Sequence, residues 1–308
     1  NGFIVFNDMY LIYQVNTKFD KELYNKNFSY SISCSQSDLD QEEKQIIIPY
    51  NLISQILYRK FLYYEVAIEI FLLNGKSYYF NFYNANNKNQ FMKKMKEKIN
   101  EEIIISSSIK YFKKKKYKKK WLENEISTLD YLLLINKFSD RSYNVLSHYL
   151  ILPWLLFDFD DIYNSENLRN FNFPGLIKTK EEFNLTKKED VLNGITYHFP
   201  NLFSNNMYVN HLSIRAYPYI NNQIKLQDNR FDEPSRQFLS LVGTFNIFKE
   251  NLQLNMELIP EFYFIPEFFL NINYCYYGIL FPKKEKYLVN NLGIGPNFHS
   301  LLEIINYH

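Results

Sequence analysis

Apolar and polar positions alternate in short runs over the first hundred residues, and this period of two predicts β-strands. Near the N-terminus, two such runs flank a polar break at Asn7-Asp8, which predicts a hairpin. Asn74-Gly75 follows a predicted strand at 67–72. It is a strong hairpin signal, because both central residues of a type I′ turn take positive φ. Beyond it, the aromatic residues at alternate positions from Tyr78 to Phe82 share one face of a strand.

The period then changes to that of a helix. Phe91, Met95 and Ile99 recur every four residues among lysines, which predicts an amphipathic helix over 84–99 with a basic outer face. Several strands closed by one helix predict a small barrel capped by that helix. The segment 16–45 is polar and rich in Ser, Asp and Gln, so we expect a mobile loop there.

Another helix is predicted to begin at Ser127, because Ser127 and Asp130 fit a capping box in front of an apolar run. Leucines follow at helical spacing, and the pattern predicts that the helix ends near Phe138. Further on, Pro-Glu-Phe occurs twice in an aromatic block. We expect each proline to begin a short helical turn, and Glu261 and Glu267 to cap the turns or to pair with buried arginines.

Composition indicates a folded protein long enough for two domains: 308 residues, 46% hydrophobic and 22% charged. Abundant Asn, Lys, Ile, Tyr and Phe fit an AT-rich genome. The net charge of +2 gives no overall case for nucleic acid or anionic membrane. Cys34 and Cys275 lie too far apart in sequence to indicate a disulfide framework or a metal site. The longest apolar run, 149–157, is too short to span a bilayer, so we expect a soluble or at most peripheral protein.

A run of lysines, KYFKKKKYKKKW at 110–121, leaves three interpretations open. Like charges repel, which favours a solvated linker at 106–120. The run could instead contact an anionic membrane, or it could bind nucleic acid with its aromatic residues stacked on bases, and nucleic acid is the least favoured of the three. The lysines that would contact lipid are Lys113, Lys114, Lys115, Lys116, Lys118, Lys119 and Lys120.

Known catalytic and metal-binding motifs are missing from the sequence: it has no G-x-S-x-G, P-loop, H-E-x-x-H or C-x-x-C. Its five histidines have no metal-ligand spacing. Glu261 and Glu267 are the one carboxylate pair to consider, and a structural role is favoured over acid–base chemistry. The cluster Arg141-Ser142-Tyr143-Asn144 is either a ligand site or a set of polar groups that satisfies buried backbone. We therefore expect no catalytic residue, no metal site and no cofactor.

Five segments, in order, resemble the motifs of BEACH domains: WLENEISTLDYL, DRSYNVLSHYLILPWLLFDF, LRNFNFPGLI, NRFDEPSRQF and LIPEFYFIPEFFLN. The stretch from Tyr58 to Met95 resembles the pleckstrin-homology-like (PH-like) barrel that precedes BEACH domains. The family motif YHYGTHYSS appears as YHFPNLFSN at 197–205, where Gly-Thr-His is replaced by Pro-Asn-Leu. The family module also continues with a further helix, often followed by WD40 repeats, beyond the point where this chain ends.

The resemblance implies an α+β chain: a PH-like barrel with its C-terminal helix at 1–105, the lysine-rich linker, and a BEACH module at 121–308. The module is expected to be mainly α with many extended irregular segments, and to pack against the barrel. Because the loop between the first strands is not basic, a protein-docking barrel is favoured over a phosphoinositide-binding one. The residues expected to carry structural or interaction roles are Arg141, Tyr143, Asn144, Trp154, Arg236, Glu261, Glu267 and Asn271.

In function, the resemblance implies a cytoplasmic, non-enzymatic scaffold that binds proteins in vesicle trafficking or in lysosomal or autophagic membrane events. Two alternatives stay open. The first is a peripheral membrane adaptor that uses the lysine run. The second is a structural subunit of a large assembly that has adopted a BEACH module, an interpretation favoured by the altered motif at 197–205.

Overall fold

A computed structural model describes the following residues: 2–15, 45–156, 167–170, 172, 177, 179–192, 206–231, 233–250, 257–280, 287–289 and 291. The chain divides into two compact units, Asn1–His148 and Tyr149–His308. The loop expected at 16–45 falls outside the described residues apart from its last position, and so does the altered motif at 197–205. No helix within the described ranges is long and apolar enough to cross a membrane.

Two small sheets form the N-terminal unit. The first has the order β1-β2-β3, with antiparallel neighbours. The second has the order β6-β5-β4-β7, in which only the β4–β7 pair is parallel. The strands are β1 (Gly2–Phe6), β2 (Tyr10–Val15), β3 (Gln45–Pro49), β4 (Ile53–Phe61), β5 (Tyr64–Leu72), β6 (Ser77–Asn81) and β7 (Ile104–Ile105). The predicted N-terminal hairpin and the strands on either side of Asn74-Gly75 are confirmed.

The turn between β5 and β6 differs from the predicted type I′ turn. Gly75 has a φ of +84°, whereas Asn74 is not among the residues of positive φ, and the amide of Leu72 donates to the carbonyl of Lys76. The loop therefore has three residues with the glycine in the left-handed region, because a three-residue connection needs positive φ at one position only. The two-residue turn with two positive φ values is Leu62-Tyr63, between β4 and β5.

The helix predicted after the last strand is confirmed as α1 (Ala85–Lys98). It begins at Asn84, whose side chain accepts a hydrogen bond from the amide of Asn87, and such caps typically contribute about 1 kcal/mol. Its inner face packs on the barrel core, which contains inward side chains of both sheets. Lys88, in the first turns of this helix, is buried, and its ammonium group donates to the carbonyl of Glu65.

Three helices follow the barrel within the same unit: α2 (Ser108–Lys114), α3 (Tyr117–Leu122) and α4 (Thr128–Phe138). The predicted capping box is confirmed, since the amide of Asp130 donates to the Ser127 hydroxyl, which in turn donates to the Asp130 carboxylate. Strand β5 consequently has two buried faces. Ile68 and Ile70 point into the barrel core, and Phe71 faces a second apolar cluster that includes Phe138.

The C-terminal unit is mainly helical in its described part, with irregular backbone between short elements. These are α5 (Lys180–Leu192), α6 (Asn206–Leu212), α7 (Tyr219–Leu226), α8 (Leu241–Glu250), α9 (Glu261–Phe264), β8 (Ile279–Leu280) and β9 (Tyr287–Leu288). Pro260 is the N-cap of α9, and Pro266 begins a 3₁₀ turn, so the predicted pair of proline-started turns is confirmed. Mixed sheets and helices also agree with the expected α+β class.

Candidate interaction site on the outer face of the barrel

A buried ion pair lies on the outer face of the barrel. The Arg59 guanidinium, from β4, places Nη2 2.7 Å and Nε 2.9 Å from the same oxygen of Glu69, from β5. Both side chains are about 1% exposed. Transfer of two such charges out of water is costly unless the remaining polar atoms are also satisfied. What surrounds the pair therefore decides whether the site is tolerable.

The second carboxylate oxygen of Glu69 accepts three further hydrogen bonds. Ser77 of β6 donates through its hydroxyl at 3.2 Å, Ser142 at 2.6 Å, and Asn144 through its side-chain amide at 3.0 Å. Asn144 also donates to the Ser77 hydroxyl at 2.7 Å. Strand β6 and the segment after α4 therefore meet at one carboxylate oxygen.

Arg59 completes its hydrogen bonds on the last turn of α4. It donates to the carbonyl of Lys137 at 2.6 Å and to that of Arg141 at 3.3 Å, and it lies 3.6 Å from a carboxylate oxygen of Asp140. The last carbonyl groups of a helix lack partners within the helix and carry partial negative charge, so a buried cation is favourable there. The guanidinium thus neutralises Glu69 and caps α4 at once.

The backbone after α4 turns in a way that delivers Ser142 and Asn144 to Glu69. Asp140 has a φ of +62°, and the amide of Arg141 donates to the carbonyl of Asn136. This is the geometry of a Schellman turn, which stops a helix and reverses the direction of the chain. The backbone amide of Asn144 then donates to the Ser142 hydroxyl at 3.0 Å, which fixes the loop.

Lys137 forms the border of the cluster. Its ammonium group donates to the side-chain oxygen of Gln55 at 2.7 Å and lies 4.0 Å from the centre of the Phe71 ring. Burial lowers the pKa of Lys137 to about 8; the nearby Glu69 carboxylate opposes this and Arg59 adds to it. The face of the Phe71 ring and the side-chain oxygen of Gln55 keep this ammonium group in place.

The sequence-predicted cluster Arg141-Ser142-Tyr143-Asn144 is therefore brought together with Arg59 and Glu69. Ser142 and Asn144 donate directly to Glu69, whereas Arg141 contributes its backbone carbonyl and Tyr143 is about half exposed. Arg59 and Glu69 were not among the predicted site residues. A signal was present for Glu69, because it is a charged residue between Ile68 and Ile70 in a predicted strand, whereas Arg59 stands beside Lys60 and outside the predicted strands.

A comparable pair lies in the C-terminal unit. Glu257 is 2.8 Å from Arg169 and accepts a hydrogen bond from the backbone amide of Trp154 at 3.0 Å. The Trp154 side chain is fully buried and meets Phe245 edge to face, with ring centres 5.3 Å apart. Neither Glu257 nor Arg169 was predicted, although Glu257 opens the block that contains both Pro-Glu-Phe motifs.

Glu261 was expected to cap its turn or to pair with a buried arginine; it is the first residue of α9, it is buried, and its carboxylate meets a tyrosine. The Tyr149 hydroxyl donates to its carboxylate and also lies 2.9 Å from the hydroxyl of Tyr219. Burial raises the pKa of Glu261, while the hydrogen bond from Tyr149 opposes this effect. Arg230 and Arg236 are exposed, so neither is a buried arginine of the kind expected to pair with Glu261 or Glu267.

The other predicted residues of this unit have separate positions. Glu267 is exposed and makes no side-chain cap to its 3₁₀ turn. Asn271 closes a tight turn, since its side chain accepts from the amide of Cys275 at 3.0 Å and donates to the carbonyl of Cys275 at 2.9 Å. In the N-terminal unit, the predicted lipid-contact lysines at 113–116 and 118–120 are all exposed.

These contacts give the site a structural chemistry. The donors around Glu69 bind the carboxylate itself, so its oxygens are already occupied by partners within the chain. Within the described ranges, no group of three or more His, Cys, Asp or Glu side chains could hold a metal ion. The arrangement therefore serves to fix α4 and the loop after it on the barrel.

Two small sheets that share one core and one closing helix, with the next segment covering their outer face, fit a PH-like domain followed by a segment that packs on it. Residues 4–96 match the model of the PH domain associated with Beige/BEACH, and residues 119–298 match that of the Beige/BEACH domain. Because the second match covers more than half of the chain, this chain belongs to the Beige/BEACH domain family. The contacts of Ser142 and Asn144 with Glu69 join the two matched segments.

Two curated relatives support this assignment. The chain is 26% identical over 283 residues to Beige protein homolog 1 of Schizosaccharomyces pombe, which covers 79% of the chain and 11% of the relative. It is 28% identical over 244 residues to the lysosomal-trafficking regulator of Drosophila melanogaster, which covers 73% of the chain and 7% of the relative. The chain thus corresponds to a small part of each of these large proteins.

Proposed function

We propose that this chain is the PH–BEACH part of a non-enzymatic scaffold that binds other proteins during membrane trafficking on the cytoplasmic side of vesicles or organelles. The observation that carries the proposal is the contact of Ser142 and Asn144 with the buried Glu69. It ties the barrel to the start of the BEACH segment within one compact unit, which can present a constant surface to a partner.

The name of the Drosophila relative, lysosomal-trafficking regulator, is the basis for the proposed cellular process. The tie between the barrel and the BEACH segment supports the scaffold role, because a pre-organised surface loses less conformational entropy when a partner binds. The polar groups at the site support binding over turnover. A carboxylate that already accepts hydrogen bonds from Arg59, Ser77, Ser142 and Asn144 would have to lose them before it could act on a substrate.

The proposal is tested by cross-linking in the organism's own cells, with the whole protein carrying an affinity tag. We expect cross-links from other proteins to residues within 1–308, and fewer of them in a Ser142→Ala/Asn144→Ala variant that loosens α4 from the barrel. A Tyr143→Ser variant is the matched control, because Tyr143 lies between the two positions and is about half exposed. If the wild-type protein gives no cross-link from another protein to residues 1–308, the scaffold proposal is wrong.

A further inference from the structure

The lysine run that follows the barrel is folded. Helices α2 and α3 contain most of it, and Lys116, with a φ of +54°, forms the bend between them. Eight lysines within eleven residues are exposed on these helices: Lys110, Lys113, Lys114, Lys115, Lys116, Lys118, Lys119 and Lys120. We call this set the lysine surface. It concentrates positive charge in a chain whose net charge is only +2.

Aromatic side chains anchor the lysine surface from below. The rings of Tyr111, Phe112 and Tyr117 lie 5.5, 5.9 and 5.8 Å from the ring of Phe138 on α4. They belong to the apolar cluster on the outer face of the barrel, which also contains Leu57 of β4. The lysines are therefore held on an ordered support, so their charges act together at one place on the surface.

Little of this charge is compensated nearby. Lys119 lies 3.4 Å from Glu123 and Lys120 lies 3.9 Å from Glu125, and both pairs are exposed. In the part of the chain that the structure describes, no ion pair involves Lys113, Lys114 or Lys118. Crowded like charges repel each other, so an anionic partner would relieve a cost that the fold itself leaves in place.

The aromatic residues of the run do not favour nucleic acid as that partner. Single strands bind where bases stack on accessible rings. Here Tyr111, Phe112 and Tyr117 pack inward, and Trp121 is stacked on Tyr131 with ring centres 4.7 Å apart and planes 2° from parallel. The stacking surfaces that would have supported base recognition are already used within the unit.

We propose that the lysine surface docks on a membrane whose leaflet carries anionic lipid headgroups. Every basic residue of the run is lysine, a mobile point charge, whereas directional pairing with single carboxylate or phosphate groups favours the planar fork of arginine. Many exposed point charges on two neighbouring short helices complement the diffuse negative charge of an anionic leaflet. This inference goes beyond the proposed function, because it concerns lipid and requires no protein partner.

The test is co-sedimentation of the purified 308-residue chain with phosphatidylcholine vesicles, with and without phosphatidylserine. Binding is expected only when phosphatidylserine is present. It should be lost as salt rises from about 0.1 M to about 1 M, since the Debye length falls to about 3 Å. Each lysine near the lipid changes partitioning by about fivefold, so Lys113→Gln/Lys114→Gln/Lys118→Gln should weaken binding by about a hundredfold. The same three positions changed to arginine should keep it.

The matched control is Lys187→Gln/Lys188→Gln/Lys225→Gln, which removes the same charge from exposed positions of α5 and α7. It should bind as the wild-type chain does. Equal loss in both triple variants would overturn the lysine surface as the site. Binding to soluble polyglutamate without binding to phosphatidylserine vesicles would overturn the membrane proposal and would favour an acidic protein segment as the partner. Neither result bears on the cross-linking experiment, so failure of this inference is distinguishable from failure of the scaffold proposal.

Discussion

Replacement of Glu69 by leucine should loosen the N-terminal unit strongly, because it leaves the Arg59 guanidinium buried without its counter-charge. The guanidinium is 1% exposed, and Glu69 also accepts from Ser77, Ser142 and Asn144. Removal of one partner of a buried pair costs about 3 to 5 kcal/mol. The arginine would keep its contacts with the end of α4, and these offset only part of that cost.

Hydrogen exchange is the suitable assay, because a chain with two compact units does not have a single well-defined free energy of unfolding. Amides of β4, β5 and α4 that exchange through opening of the unit should do so about 10²- to 10³-fold faster in Glu69→Leu. Glu65→Leu is the control, since Glu65 is an exposed acid in the same strand and loses the same charge.

The double variant Arg59→Met/Glu69→Leu separates the charge from the packing. It removes both ions, so it should be less destabilised than Glu69→Leu alone, although the carbonyl groups of Lys137 and Arg141 lose a donor. This prediction is wrong if the amides of β4, β5 and α4 exchange no faster in Glu69→Leu than in Glu65→Leu. It is also wrong if Arg59→Met/Glu69→Leu is less stable than Glu69→Leu.

Three smaller perturbations test separate features. Ser127→Ala should lower the stability of α4 by about 1 kcal/mol, because it removes the N-terminal cap. Hydrogen exchange of the first-turn amides of α4 measures this loss, and Ser139→Ala is the control. Gly75→Ala should lower the stability of the N-terminal unit by about 1 to 2 kcal/mol, and Gly75→Asn by less, measured by hydrogen exchange of β5 and β6. An added Cβ meets no atom within 4 Å, so a cost of zero would mean that the positive φ is not required. Lys137 has a folded pKa of about 8 and an ordinary value of 10.5, so the unfolded state binds more protons between them. Its contribution to stability should therefore rise from pH 8 toward pH 10. Urea unfolding of the N-terminal unit measures this, and a dependence of stability on pH that is the same in the wild-type chain and in Lys137→Met would contradict it.

The features that could be predicted from the sequence are those set by neighbouring residues. The capping box at Ser127 and the end of α4 near Phe138 depend on hydrogen bonds within one turn, so a local pattern is sufficient. The strands on both sides of Gly75 follow from alternation. The turn type predicted at Asn74-Gly75 was wrong, because turn type depends on the register of the two strands, which is set by the whole sheet.

The buried pairs could not be predicted because their partners are distant in sequence. Arg59 and Glu69 lie ten residues apart, but their donors Ser142 and Asn144 come from more than seventy residues further along. The lysine run was interpreted as a linker because its charge suggests solvation, and that interpretation stays a prediction. Its helices depend on Phe138 and Leu57, which no pattern within the run reveals.

Helices α2 to α4 cover the outer face of the barrel, so truncation of the chain before them should expose that face. A barrel that ended at residue 105 would present Leu57, Ile105 and the Arg59–Glu69 pair to water on what should be an interior surface. Such a fragment would tend to associate through that face, because an open apolar patch beside unshielded ions is an unfinished core. Residues 137–144 bind side chains of β4 and β5, so we expect α4 to dock after these strands have paired. The shortest fragment expected to remain monomeric therefore ends after His148.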